Sequence, residues 1–270
     1  MTSPRLDLER DGAIWTARLS NPPTHTLTAH GVIELARMLD DVENDPSIRV
    51  LVLTGGGEGV FVAHYEVGEL AASAEQNVAA ARSATPEAPG ELHPFHRVLL
   101  RLERLSAVTI AGLNGNAAGG GCELSLACDF RLMADGDFHY GLPETNVGII
   151  PGAGGTQRMA RLLGTARALD LILHGALLSP RQALELGLVH RLYAVESFRK
   201  EVAEFAATLA GRAPLALAAA KRAIRRGAET TLEGGLAIEQ ACFEETMRSR
   251  DAAGAMRAWL KGEPYAWEGK

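Results

Sequence analysis

Two acidic side chains and a run of glycines give this chain its chemical character. Gly119-Gly120-Gly121-Cys122-Glu123 leads into an apolar stretch, and Glu144 follows Pro143 further on, 21 positions after Glu123. A glycine-rich turn that opens a helix leaves backbone N–H groups without intrahelical acceptors, and the helix dipole adds partial positive charge there. Such a turn suits a phosphate or a carbonyl oxygen that is gaining negative charge. Two carboxylates in unlike surroundings can hold different pKa values, so that one serves as base and the other as acid. Each also has a plainer reading: Glu123 as a first-turn charge on the helix dipole, Glu144 as a solvated loop residue. Spacing alone does not bring them together.

Other patterns narrow the field. The glycine run lacks G-x-x-x-x-G-K-[ST], which argues against a nucleotide-phosphate cradle. No G-x-S-x-G occurs, which disfavours a serine hydrolase of that type. Gly152-Ala153-Gly154-Gly155 lacks the six-residue dinucleotide spacing and reads as a tight turn. His30, His93, His96, His139, His174 and His190 show no metal-ligand spacing such as H-E-x-x-H, and surface or packing roles are expected for them. Cys122, Cys128 and Cys242 are an odd count with no metal-like spacing, expected to be reduced, buried thiols in a cytoplasmic protein. A net charge of −6 argues against nucleic acid as partner. No apolar leader opens the chain, and no apolar run approaches the ~18 residues of a membrane span, so no membrane partner is expected.

These residues need a scaffold, and the 270-residue chain, 47% apolar, can bury a sizeable core. Ala13–Leu19 reads as a strand closed by Asn21-Pro22-Pro23. Ile33, Leu35, Ala36, Leu39 and Val42 recur at helical spacing. Arg49–Thr54 reads as a buried strand stopped by Gly55-Gly56-Gly57. Strand, helix, strand in that order suggests parallel α/β architecture. Residues 71–94, rich in Ala, Ser, Glu, Pro and Gly, read as a mobile surface loop with room for a helical turn. A helix is expected over Phe95–Leu105, a strand over Val108–Leu113 ending at Asn114-Gly115, a helix from Cys122 to Cys128, and a strand over Phe130–Met133. A further helix is expected over Gln157–Leu163, and Ser179-Pro180 reads as an N-cap with Pro in first position. From about Phe198 onward the pattern is almost wholly helical. Leu236, Ile238, Ala241, Phe243, Met247 and Met256 there need a partner surface, and Trp259, Tyr265 and Trp267 are expected to pack against a neighbouring chain.

Residues 110–124, Ile-Ala-Gly-Leu-Asn-Gly-Asn-Ala-Ala-Gly-Gly-Gly-Cys-Glu-Leu, closely resemble the signature of the crotonase superfamily, the enoyl-CoA hydratase/isomerase family. Gly141-Leu142-Pro143-Glu144 and Gly148 through Arg158 resemble its next block, and Leu178–Ala183 with Gly187-Leu188-Val189 the one after. Val50–Gly55 matches an earlier one. The resemblance implies an α/β fold, a crotonase-like spiral of ββα units over residues 1–197, followed by a helical region, 198–270, for oligomerisation or as a lid. It also implies an acyl-CoA thioester substrate, no metal and no cofactor beyond the coenzyme A of the substrate, and assembly as a homotrimer or a hexamer.

In that family two backbone N–H groups grip the thioester oxygen. The resemblance assigns them to Gly120 and Tyr65, and the two proton-transfer roles to Glu123 and Glu144. It further implies that Ala63, His64, Glu66 and Gly152 lie at the acyl-CoA site. The loop that usually reads F-C-A-G-A-D is here Phe61-Val62-Ala63-His64-Tyr65-Glu66. His64 stands where a glycine is usual, which implies strain if the loop needs positive φ, or else a different loop shape. Tyr65 brings a large ring, into the acyl pocket or outward. Gly59, Gly68 and Gly262 stand where some relatives carry basic residues, with Lys261 beside the last. His25-Thr26-Leu27 replaces N-A-L. Three activities follow: hydration of a 2-enoyl-CoA or its reverse, double-bond isomerisation, and acyl-CoA binding without catalysis.

Overall fold

The computed structural model describes residues 5–79 and 91–270. An antiparallel pair, β1 (Arg5–Asp11) and β2 (Ile14–Ser20), precedes α1 (Ala29–Asn44). The Thr28 side chain accepts the Gly31 N–H and caps α1, which buries Val32, Leu35, Met38, Leu39 and Val42.

Three times the chain then runs a long strand, turns sharply and adds a short one: β3 (Val50–Gly55) to β4 (Gly59–Val62), β5 (Val108–Leu113) to β6 (Gly115–Ala118), and β7 (Phe130–Asp135) to β8 (Tyr140–Gly141). Helices α2 (Val67–Ala79) and α3 (Pro94–Arg104) follow the first pair, and α4 (Gly120–Leu126) follows the second. A 3-10 turn (Glu144–Val147), α5 (Gly155–Leu163) and α6 (Thr165–Leu173) follow the third. The chain continues through β9 (Leu177–Leu178), α7 (Pro180–Glu185) and β10 (Arg191–Ala194). It finishes with α8 (Phe198–Ala210), α9 (Pro214–Gly227), α10 (Leu232–Met247) and α11 (Arg250–Lys261).

The long strands build a six-stranded sheet ordered β1-β2-β3-β5-β7-β10, parallel from β2 onward. The short ones build a second sheet ordered β4-β6-β8-β9. The result is a spiral of ββα turns. Its corners close backbone against backbone: a Cβ on Gly55 would stand 2.0 Å from Val60 O, and one on Gly115 1.9 Å from the Gly59 carbonyl carbon. Asn114, alone between β5 and β6, pins two corners together. Its Oδ1 accepts the Gly55 N–H at 2.8 Å and its Nδ2 donates to Gly57 O at 2.8 Å.

Side chains alternate across β3, so Leu51 and Leu53 join the core under α1, α3 and α4, while Val50 and Val52 join a second cluster with Phe198, Val202 and Ala206 of α8. Both faces are covered, which is why the strand reads as an unbroken apolar run. Helix α8 therefore packs on the same sheet as the spiral.

The expected strands at 49–54, 108–113 and 130–133 and the helix at 157–163 are present, and Ser179 with Gln182 forms a full capping box. The loop expected over 71–94 is corrected for residues 71–79, which are helical, while residues 80–90 lie outside the described residues. Helix α2 runs through Ala79 and α3 begins at Pro94, while Pro86 and Pro89 lie outside the described residues. Helix α2 buries no side chain, so it carries no apolar stripe, and its Ala and Glu content is helix-forming composition instead. The strand over 108–113 ends at Asn114-Gly115 as expected, and a short strand the sequence did not show, β6, begins at Gly115. Tyr265 and Trp267 do not wait for a neighbour: their rings pack edge to face at 5.2 Å, and the Tyr265 hydroxyl donates to Asp251 of α11. No single helix among the described residues is long and apolar enough to cross a membrane.

Candidate active site

The site forms where the second and first turns of the spiral meet. Gly119 takes φ 49° and ψ −121°, backbone that side chains other than glycine rarely adopt, and this kink launches α4. The Gly119 N–H donates to Gly141 O, tying the helix start to β8. A Cβ on Gly121 would lie 2.1 Å from Val62 O, and one on Gly120 would lie 3.2 Å from both the N and the Cβ of Tyr65. The absence of side chains here lets α4 settle directly on the 61–66 loop.

That loop is spliced into its neighbours by main-chain bonds. Ala63 N–H donates to His25 O, and Ala63 O accepts the Ala118 N–H. Tyr65 forms a parallel bridge with Leu27: Leu27 N–H donates to His64 O and Glu66 N–H donates to Leu27 O, each at 2.8 Å. In such a bridge the central residue's own N–H points away from its partner strand. The Tyr65 N–H thus leaves toward the α4 side and donates to no described residue. The Gly120 N–H lies in the first turn of α4, where no intrahelical acceptor exists. Two spare amides therefore border each other.

The odd loop residues settle as follows. His64 is exposed and is not at positive φ; among the described residues the one non-glycine there is His25, at 51°. A histidine at 64 thus carries no left-handed strain. Its Nδ1 lies 2.7 Å from Tyr65 O. The Tyr65 ring turns onto Phe95 of α3, centroids 6.3 Å apart, and burial and then Glu69 push its hydroxyl up to about 12. Glu66 is engaged within its own loop, accepting the Thr26 hydroxyl at 2.7 Å and the Gly68 N–H at 3.2 Å, bonds that hold it below the ordinary carboxylate value. Gly152 is exposed, with open space around it.

The two carboxylates flank the start of α4 in contrasting surroundings. Glu123 is 3% exposed, and its Oε1 accepts the N–H groups of Ala153 and Gly155 at 2.7 and 2.8 Å. Burial raises its pKa, opposed by those two amides and by the Arg158 charge. Glu144 heads the 3-10 turn, half-buried. Its Oε1 lies 3.0 Å from where a Cβ on Gly119 would be, and its Oε2 is buried with no partner among the described residues. Burial lifts Glu144 to about 7; its own N–H opposes the shift and the Glu123 charge adds to it.

The structure thus brings Gly120, Tyr65, Glu123 and Glu144 to one place. Ala63 and Glu66 shape the loop behind the amides, His64 lies at its surface, and Gly152 sits at the rim of the turn that holds Glu123. Residue-by-residue reading of the chain missed Ala153, Gly155 and Arg158. Their signal was present in Gly154-Gly155-Thr156-Gln157-Arg158 directly after Pro151, a glycine turn opening a second helix.

A spiral of ββα turns, with spare amides at a glycine-opened helix between a buried and a half-buried acid, defines an enzyme-like α/β protein. Residues 9–270 match the family model described as enoyl-CoA hydratase/isomerase. The chain is 33% identical over 255 residues to the short-chain-enoyl-CoA hydratase of Clostridium acetobutylicum, covering 94% of each. It is 34% identical over 240 residues to the 2,3-dehydroadipyl-CoA hydratase of Escherichia coli, covering 88% of each. The structure of an enoyl-CoA hydratase from Bacillus anthracis matches with a TM-score of 0.89 at 32% identity, covering 98% of this chain and 99% of that one. The chain belongs to the enoyl-CoA hydratase/isomerase family and has its crotonase fold.

Proposed function

We propose that this protein hydrates a 2-enoyl-CoA thioester to a 3-hydroxyacyl-CoA and catalyses the reverse dehydration. The observation that carries the reading is the pair Glu123 and Glu144, differently solvated, beside the amides of Tyr65 and Gly120. Those amides form an oxyanion hole for the thioester oxygen. Each such donor is worth about 3 kcal/mol of barrier. Polarising the C=O makes C3 electrophilic. Glu123, whose charged form is held by two N–H groups and Arg158, acts as base and takes a proton from water. The water oxygen bonds to C3, and the C2=C3 electron pair moves toward C1 to give an enolate. Glu144, partly protonated near neutrality and with its buried Oε2 unpartnered among the described residues, gives its proton to C2. Proton exchange with solvent restores both acids.

The reaction calls for no resident cofactor, since coenzyme A arrives with the substrate. The apolar Leu236, Phe243, Met247, Met256, Trp259 and Leu260, all exposed in the single chain, support assembly through residues 198–270 as a homotrimer or a pair of trimers. The three free, buried cysteines fit a reducing, cytoplasmic setting.

The test is loss of the enoyl-thioester absorbance with a panel of 2-enoyl-CoAs, crotonyl-CoA first. Wild type is expected to turn over at least one, and a Glu123→Gln, Glu144→Gln double variant none. Equal inactivity of both, with acyl-CoA still bound, would overturn catalysis and leave a binding protein. Migration of the double bond without hydration would give the isomerase instead.

A further inference from the structure

Glu123 is aimed by a turn, and the turn has its own holder. Arg158, early in α5, spends its guanidinium on two partners. Nε and Nη2 donate to the two Glu103 oxygens at 2.9 and 3.1 Å, and Nη1 donates to Ala153 O at 2.8 Å. Ala153 and Gly155, on either side of Gly154, are the residues whose N–H groups grip Glu123. Gly154 adopts φ 100°, and a Cβ there would lie 2.4 Å from Arg158 Nη1, so the turn lies directly on the guanidinium. One segment thus faces Arg158 with its carbonyl and Glu123 with its amides.

We propose that Arg158 is the positioning residue of Glu123, fixing the Ala153–Gly155 turn so that its two amides set the orientation and charge state of that carboxylate. The inference rests on the hydratase reading for its catalytic consequence. Both partners of the ion pair are largely shielded, at 13% and 19% side-chain exposure, so the fork is not a solvated surface contact. Glu103 belongs to α3 and also accepts from Arg225 of α9 at 3.4 Å, which anchors the fork to two further helices. The charged or titratable groups facing this arrangement are Glu144 across from Glu123, with Glu103 and His96 of α3 and Arg225 of α9 around the guanidinium. Of the groups around it, Arg158 is the one whose charge favours ionised Glu123.

The test compares Arg158→Gln and Arg158→Lys with wild type in kcat, KM, pH profile and thermal melting. Arg158→Gln is expected to lower kcat about 100-fold, the loss expected when a catalytic group is displaced by about an ångström, with KM nearly unchanged. Its acid limb is expected to move to higher pH, since the positive charge that favours ionised Glu123 is gone. Arg158→Lys keeps the charge but not the fork, so kcat is expected to fall with the limb near its wild-type position. Wild-type kcat and limb in Arg158→Gln would overturn the proposal. So would losses in both variants that merely follow lost folded protein, with neither limb displaced. An arm without substrate is the 13C titration of labelled glutamate, the Glu123 carboxyl being identified by its absence in Glu123→Gln. A titration midpoint unchanged in Arg158→Gln refutes the Arg158 assignment, whereas inactive wild type with a raised midpoint refutes only the hydratase reading.

Discussion

Glu144 carries one buried oxygen that no group among the described residues satisfies, and this is the feature a donor of protons needs. Its carboxyl ordinarily titrates at 4.5 and here titrates at about 7. In the proposed mechanism the acid must hold its proton to give it to C2, so kcat is expected to descend as pH rises through about 7, read from a rate profile of the wild type. Replacement by Gln removes the transferable proton and is expected to lower kcat by about 10² to 10⁴. The same shift bears on stability. Below 4.5 the group is protonated whether folded or unfolded, and between 4.5 and about 7 the folded chain resists an ionisation that the unfolded chain accepts, so stability falls as pH rises. Glu144→Gln is therefore expected to melt above wild type at pH 8 and alike at pH 4. At the neighbouring glycine, Gly120→Ala places a methyl 3.2 Å from Tyr65 N and Cβ. Parting the two amides is expected to lower kcat by about 10² to 10³ with little change in melting temperature. Residue types and the family resemblance pointed to Glu123 and Glu144; their unequal pKa shifts were not legible, because burial is set by what folds over them.

Helices and strands position these groups through shared charges as well as apolar packing. Asp129, just before β7, accepts the Thr109 N–H and hydroxyl from β5 and pairs with Lys221 and Arg225 of α9 at 2.7 and 2.8 Å. With Glu103 it ties α9 to α3, α5 and the sheet. Asp129→Ala would leave the Lys221 ammonium, on a side chain 9% exposed, without this counter-charge and with its bond to Ala107 O, beside an uncapped Thr109 amide. A loss of about 3–5 kcal/mol is expected, read from the urea midpoint. The apolar elements were legible one by one, since strands buried on both faces and amphipathic helices have clear periodicity. Strand β1 alternates charges and lies mostly exposed, and β6 and β8 are four and two residues long, too short to show a period. Helix α2 was misread as loop because proline-rich sequence follows it and no apolar stripe marks it.

At the scale of the whole molecule, α10 and α11 leave Phe243 at 62% and Trp259 at 79% exposure, with Leu236 and Leu260 also uncovered. Exposed apolar side chains in such number fit the assembly proposed above. If the proposed assembly uses this surface, wild type is expected to sediment as a trimer or hexamer and Phe243→Glu combined with Trp259→Glu toward monomer in sedimentation velocity. What the chain determined by itself was local: buried strands, helix starts, a glycine turn able to offer amides, and two acids of the right type. Its motifs also carried the family. The hold of Ala153, Gly155 and Arg158 on Glu123 came only from the folded form, and the spiral and the bordering of Tyr65 and Gly120, though implied by the family resemblance, show in no repeated sequence or spacing of the chain. They depend on backbone contacts between distant segments, such as Gly121 on Val62 and Gly115 on Gly59. Main-chain atoms are the same in every residue, so the sequence records such contacts only as the glycines that leave room for them.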